Sequence, residues 1–151
     1  MRLKPMNDHY ELSYVVVDDD EDDRLLMRLA LEKANRPLPV HEFSDGQEII
    51  DYLTKDADRR EDQDMHWLVV MDINMPRLNG LDAVRQLRQN PYWQKLPILM
   101  LSTSDDPVMI QESLKSGANG YITKPHSPDQ FVEIFDTFFA PWLAVESSQW
   151  A

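Results

Sequence analysis

The chain has 151 residues, 42% of them hydrophobic and 28% charged, which points to one soluble domain large enough for a proper core. A formal net charge of −12, with only 15 Lys and Arg scattered along the chain, argues against a backbone-driven nucleic-acid binder. Zero cysteines exclude disulfides and thiol chemistry, and no apolar stretch approaches the roughly 18 to 20 residues that span a membrane.

The first predicted element is a strand over Leu12–Val17, whose run Tyr14-Val15-Val16-Val17 reads as buried on both faces of a parallel sheet. Six acids, Asp18 to Asp23, follow it directly. Leu25, Leu26, Leu29 and Ala30 then recur at helical spacing. Pro39–Phe43 is the second strand, and Ser44-Asp45-Gly46-Gln47 has capping-box spacing ahead of a helix carrying Ile49, Ile50 and Leu53. The charged segment Thr54–His66 lacks apolar periodicity and reads as an exposed excursion. Trp67–Met71 is the third strand. It ends at Asp72, and a loop set by Pro76 and Gly80 leads to a helix with Leu81, Val84, Leu87 and Arg88.

Ile98–Leu101 is the fourth strand and ends in Ser102-Thr103-Ser104. Asp106-Pro107 is a cap-plus-proline start for the next helix, and Gly117 is the residue that ends it. Gly120–Thr123 is the fifth strand, followed by Lys124-Pro125, an X-Pro bond that is a candidate for the cis form. Ser127-Pro128-Asp129-Gln130 again has capping-box spacing and opens a helix from Phe131 to Phe139. Ala140–Ala151 extends that helix briefly or forms a loose tail. Five strands alternating with five helices specify an α/β fold, a flavodoxin-like (βα)5 doubly wound parallel sheet of order 2-1-3-4-5.

In that order the first and third strands are neighbours at the topological switch point, and ligand crevices lie beyond the carboxyl ends of such strands. Asp18, Asp19 and Asp72 therefore converge. Three carboxylates at one point need a divalent cation, and their hard oxygens suit Mg²⁺ or Ca²⁺, with a backbone carbonyl after Asp72 as a further ligand. Each part has a plainer reading when taken alone. The acid run is equally a solvated helix start at the positive end of a dipole, and Asp72 can cap the next turn. A hydroxyl after the fourth strand can bond an anion lying over Asp72, or simply form a turn. Lys124 can pair as a point charge with a phosphoryl oxygen, or be an ordinary surface lysine.

Taken together, the motifs resemble the receiver domain of two-component response regulators, the chemotaxis-regulator family. The resemblance runs from about Tyr10 to Phe139 and rests on Val17-Asp18-Asp19, on Met71-Asp72-Ile73-Asn74-Met75-Pro76 with Gly80, on Leu101-Ser102-Thr103, and on Gly117 through Pro125. It implies a receiver over 10–140, with an N-terminal extension at 1–9 and a tail at 141–151. It implies Asp72 as the phosphoacceptor and Mg²⁺ held by Asp18, Asp19, Asp72 and the Asn74 backbone carbonyl. Ser102 and Lys124 would take the oxygens of the transferring group, and Ser102 with Tyr121 would form the switch. Within the acid run, Asp18 and Asp19 are then assigned to the metal, Asp20 and Glu21 to an exposed rim, and Asp22 and Asp23 to favourable charge and capping at the first helix.

The same resemblance implies a cytoplasmic regulator that takes its phosphoryl group from the phosphohistidine of a sensor histidine kinase and is not a turnover enzyme. Too few residues follow the last helix for an output domain, so output would pass through protein contacts. The face of the fourth helix, fifth strand and fifth helix is the expected one: Phe131, Phe135, Phe138, Phe139 and Trp142 cluster there, core packing takes many of them, and homodimerisation would use the excess. Ser102 through Pro107 and Pro141-Trp142-Leu143 resemble the small regulators that partner bacterial phytochromes. His126, where Phe often follows Lys-Pro, and Thr103, bulkier than usual, depart from the common pattern. The alternative is a Mg²⁺-dependent aspartyl phosphatase, against which Asn74 stands where a second Asp is usual. A nucleotide or flavin binder lacks its Gly-rich loop.

Overall fold

The computed structural model describes residues 11–34, 38–57 and 65–143. Its elements in order are β1 (Glu11–Val17), α1 (Glu21–Glu32), β2 (Val40–Phe43), α2 (Gly46–Ala57), β3 (Met65–Asp72) and α3 (Gly80–Gln89). A short 3₁₀ turn at Pro91–Trp93, β4 (Ile98–Ser102), α4 (Pro107–Ser116), β5 (Gly120–Thr123) and α5 (Pro128–Leu143) complete them. The strands form one parallel sheet in the order β2-β1-β3-β4-β5, as expected. No described helix is long and apolar enough to cross a membrane.

Alternation along the strands sends side chains to two cores. Val15, Val17, Val69 and Met71 pack with Ile49 and Leu53 of α2 and with Ala83, Val84 and Leu87 of α3. Tyr14, Val16, Leu68, Val70, Leu99 and Leu101 meet Met27, Ala30 and Leu31 of α1 and Phe131, Phe135 and Phe139 of α5. Both faces of the sheet are therefore covered, which is why the strands read as continuous apolar runs.

Register then aligns the functional ends. Val17 lies opposite Phe43 and Met71, Asp72 opposite Leu101, and Ser102 opposite Thr123. Asp18, Asp72, Ser102 and Lys124 thus leave one edge of the sheet together. Arg88 braces the last strand: its guanidinium donates to the carbonyls of Gly117 and Trp93 and to Asn119 Oδ1, at 2.7–3.0 Å. Gly117 has φ 115°, and a Cβ there would lie 2.7 Å from Arg88 Cγ, so glycine both ends α4 and admits the brace.

Several expectations need correction. In α1 the buried residues are Met27, Ala30 and Leu31, whereas Leu25 and Leu29 are 42% and 38% exposed. The α2 box is displaced by one residue: Asp45 Oδ1 accepts the Glu48 N–H, and Glu48 returns to the Ser44 N–H. Asp106, Ser127 and Gly117 cap as expected. The Thr54–His66 excursion is shorter than expected, since α2 reaches Ala57 and β3 begins at Met65; 58–64 fall outside the described residues. No described peptide bond is cis, so Lys124-Pro125 is trans. The last helix continues to Leu143 with Pro141 inside it, while the extension at 1–9 and residues 144–151 lie outside the described residues. Of the aromatic cluster on α5, Phe131, Phe135 and Phe139 are the share taken by core packing, buried against the sheet and α1.

Candidate functional site

The crevice forms where β1 and β3 end. Asp18 is completely buried and Asp72 is 4% exposed, while Asp19 faces solvent. One carboxylate oxygen from each lies within 4.8 Å of the others. Asp18 is held through its own backbone: Arg24 Nη1 donates to its carbonyl at 2.6 Å, and its Oδ1 accepts the Asp20 N–H at 2.9 Å. Its Oδ2 is buried without a well-directed hydrogen bond, 2.9 Å from the Lys124 ammonium. A buried carboxylate oxygen left in that state, beside two further carboxylates, is a ready ligand for a hard cation. The donor set contains oxygen alone and one exposed member, so it fits Mg²⁺, which keeps several waters when bound by few carboxylates.

Electrostatics agree with that fit. Burial, and next the adjacent Asp18 carboxylate, push the Asp72 carboxyl up to about 7, although Lys124 pulls it down. Asp18 is also raised, chiefly by burial, with Lys124 opposing. Burial alone would lower Lys124, but its contacts to Asp23, Asp18 and Asp72 hold the ammonium above its ordinary range. Folding thus keeps an excess of carboxylate around one lysine.

Lys124 lies 2.9 Å from Asp18, 3.4 Å from Asp72 and 2.7 Å from Asp23. The last contact gives Asp23, which lies in the acidic first turn of α1 as expected, a second role. The cap of α1 is Asp20, whose side chain accepts the N–H groups of Asp22 and Asp23, so Asp20 is more than a rim. Ser102 is buried at the end of β4, and its hydroxyl accepts the Ser104 N–H at 3.2 Å. Tyr121 is half-buried and donates from its hydroxyl to the Ser104 carbonyl. Ser104 therefore joins the two expected switch residues. Asn74, Thr103 and His126 are exposed.

The loop after Asp72 is fastened by residues that sequence reasoning passed over. Arg77 takes φ 64° and donates from Nε to Asp45 Oδ2 at 2.8 Å. Leu78 accepts the Gly46 N–H, and the Gly80 N–H donates to the Ile73 carbonyl. A Cβ on Gly80 would lie 2.4 Å from the Asp72 carbonyl oxygen. Part of the signal lies in the sequence, where Pro76 and Gly80 set this loop.

A crevice of this composition, at this point of this fold, agrees with what comparison finds: the response regulator receiver domain model matches residues 14–136. The chain belongs to that family. Among its relatives, a chemotaxis protein CheY homolog of Campylobacter jejuni is 31% identical over 122 residues, which is 81% of this chain and 88% of the relative. The solved structure of response regulator RPA3017, from red light signaling of R. palustris, superposes with a TM-score of 0.74 at 30% identity, covering 87% of this chain and 94% of that one. The phosphorylated cyanobacterial phytochrome response regulator RcpA superposes at 0.73 with 26% identity, covering 90% and 95%. This receiver is therefore CheY-like, with phytochrome-associated regulators among its structural neighbours.

Proposed function

We propose that the receiver accepts a phosphoryl group on Asp72 from the phosphohistidine of a sensor histidine kinase and thereby switches a protein-interaction face. The observation that carries this reading is the meeting of Asp72 with Asp18, Asp19 and Lys124 in one buried crevice. In the transfer, an Asp72 carboxylate oxygen forms a bond to phosphorus as the P–N bond breaks. The electron pair returns to the imidazole nitrogen, leaving an acyl phosphate.

Asp18, Asp19, Asp72 and the Asn74 carbonyl would hold Mg²⁺. When bound, the ion would neutralise charge on the transferring group. Burial of Asp72 excludes bulk water around the acceptor, and Lys124 sits where it can pair with a phosphoryl oxygen. Ser102 is placed to offer its hydroxyl to another oxygen, which would release the N–H of Ser104, the residue whose carbonyl holds Tyr121. We further propose that the receiver spans 10–140, works in the cytoplasm, and has a phytochrome-type kinase as partner. The red-light and phytochrome regulators among the structural neighbours support that last choice. Homodimerisation through the face of α4, β5 and α5 belongs to the same proposal. It rests on exposed Val108 and Leu114 of α4 in place of the buried phenylalanines.

The test is labelling by acetyl phosphate with Mg²⁺, read by intact mass. The wild-type chain is expected to gain one phosphoryl group and Asp72→Asn none. Equal labelling of the variant would sink the assignment. Continuous turnover of phosphate esters would favour the aspartyl phosphatase instead.

A further inference from the structure

We propose that Asp23 is a latch on Lys124: its carboxylate competes with the phosphoryl group for the ammonium and so limits how tightly the receiver holds its phosphorylated state. The inference rests on Asp72 being the phosphoacceptor. A lysine ammonium has three N–H donors. Here they meet three carboxylates, and the shortest contact, 2.7 Å, goes to Asp23, which stands outside the Asp18, Asp19 and Asp72 cluster. That contact joins positions 101 residues apart and ties the β5–α5 connection to the first turn of α1.

A phosphoryl group on Asp72 brings new anionic oxygens to an ammonium already paired with three carboxylates and hydrogen-bonded to Asp23. To take one of them Lys124 must release a partner, and the three differ in how readily they let go. Asp18 is completely buried, so stripping it of its cation leaves a desolvated charge. Asp72 carries the phosphoryl group itself. Asp23 lies on a helix turn with 31% of its side chain exposed, so water can solvate it once the ammonium leaves. Asp23 is therefore the partner released, and breaking its contact opposes phosphorylation. Truncating the side chain spares the helix start, because the α1 cap uses only the backbone N–H of Asp23.

The test titrates the full chain, at saturating Mg²⁺, with beryllofluoride as the phosphoryl mimic, followed by ¹⁹F resonance of the bound species. Asp23→Ala is expected to bind it roughly two- to fivefold more tightly than wild type, the upper part of the range for one partly exposed ion pair. Asp23→Asn, which keeps the side-chain volume, should move the same way, and Asp23→Glu, whose longer carboxylate still reaches, should stay near wild type. Mg²⁺ affinity, measured separately by calorimetry, should change by no more than about twofold. A general structural defect would weaken the mimic, not tighten it. Unchanged or weaker binding in Asp23→Ala and Asp23→Asn overturns the latch, and a larger loss of Mg²⁺ affinity would move Asp23 into the metal site. If wild type takes neither beryllofluoride nor acetyl phosphate, the phosphoacceptor reading fails and the latch with it. Labelling of Asp72 with no gain in the variants overturns the latch alone.

Discussion

Asp72 carries a carboxyl that folding makes harder to ionise, with its pKa moved from 3.8 to about 7 by burial and by Asp18. Between those values the native state binds a proton that the unfolded chain has lost, so stability falls as pH rises through the window and levels off above it. In chelator-treated solution, Asp72→Asn should lack that slope and be more stable than wild type at about pH 8 by a few kcal/mol, with a smaller difference at about pH 5. Urea denaturation at the two pH values checks this; a difference independent of pH would contradict it. Mg²⁺ should narrow the gap, because it neutralises the same charge. Asp19→Ala is expected to weaken Mg²⁺ binding at least about tenfold by calorimetry, and unchanged affinity would remove Asp19 from the metal site. Asp18, Asp19 and Asp72 were legible in the sequence because Asp18-Asp19 directly follows one apolar strand and Asp72 ends another. Asp23 was not: its partner Lys124 comes from the far end of the sheet, and local rules see only the helix start between them.

Among the elements, the loop from Ile73 to Asn79 is where short-range signals and long-range contacts divide. A non-glycine residue in the left-handed region is strained, and Arg77 is kept there by its ion pair with the nearly buried Asp45. Burial raises the Asp45 carboxyl, but the Glu48 N–H and Arg77 overcome this and hold it below its ordinary 3.8. Its contribution to stability is therefore present above that value and lost as pH falls through the lowered pKa. Gly80→Ala tests the other end of the loop. Its methyl meets the Asp72 carbonyl and the Ile73 backbone, which cannot yield as a flexible side chain would. Labelling of Asp72 by acetyl phosphate should fall at least about tenfold while far-ultraviolet dichroism keeps its helical signal. Labelling at the wild-type rate would show that the loop gives way without disturbing Asp72. Helix starts such as Asp106-Pro107 and Ser127-Pro128 were readable because their chemistry spans only a few residues. The inward face of α1 was ambiguous, since Leu25, Leu26, Met27, Leu29, Ala30 and Leu31 offer apolar groups on nearly every side. Contact with α5 and the sheet selects Met27, Ala30 and Leu31.

At the scale of the molecule, the strand order was legible because five strands alternating with five helices favour a doubly wound parallel sheet, and that order brings the acids ending the first and third strands together. The destination of the aromatics was harder, since a phenylalanine that fills a core and one that meets a partner look alike in sequence. Phe131, Phe135 and Phe139 repeat every fourth residue, and that stripe closes the core against α1. Phe135→Ala should cost about 3 to 5 kcal/mol in urea denaturation, and a loss under about 1 kcal/mol would return the residue to a docking role. The strand lengths carry one more consequence. The longest strands are the interior β1 and β3, of 7 and 8 residues, whereas the border strands β2 and β5 have 4 each. Arg24 and Arg28 set a pair of cations on Glu42 of β2. A foreign chain seeking a strand to lengthen finds a short border hemmed with charge on one side and a short one on the other. The stretches most prone to fibril growth are flanked by strands of their own molecule, so aggregation must wait for unfolding.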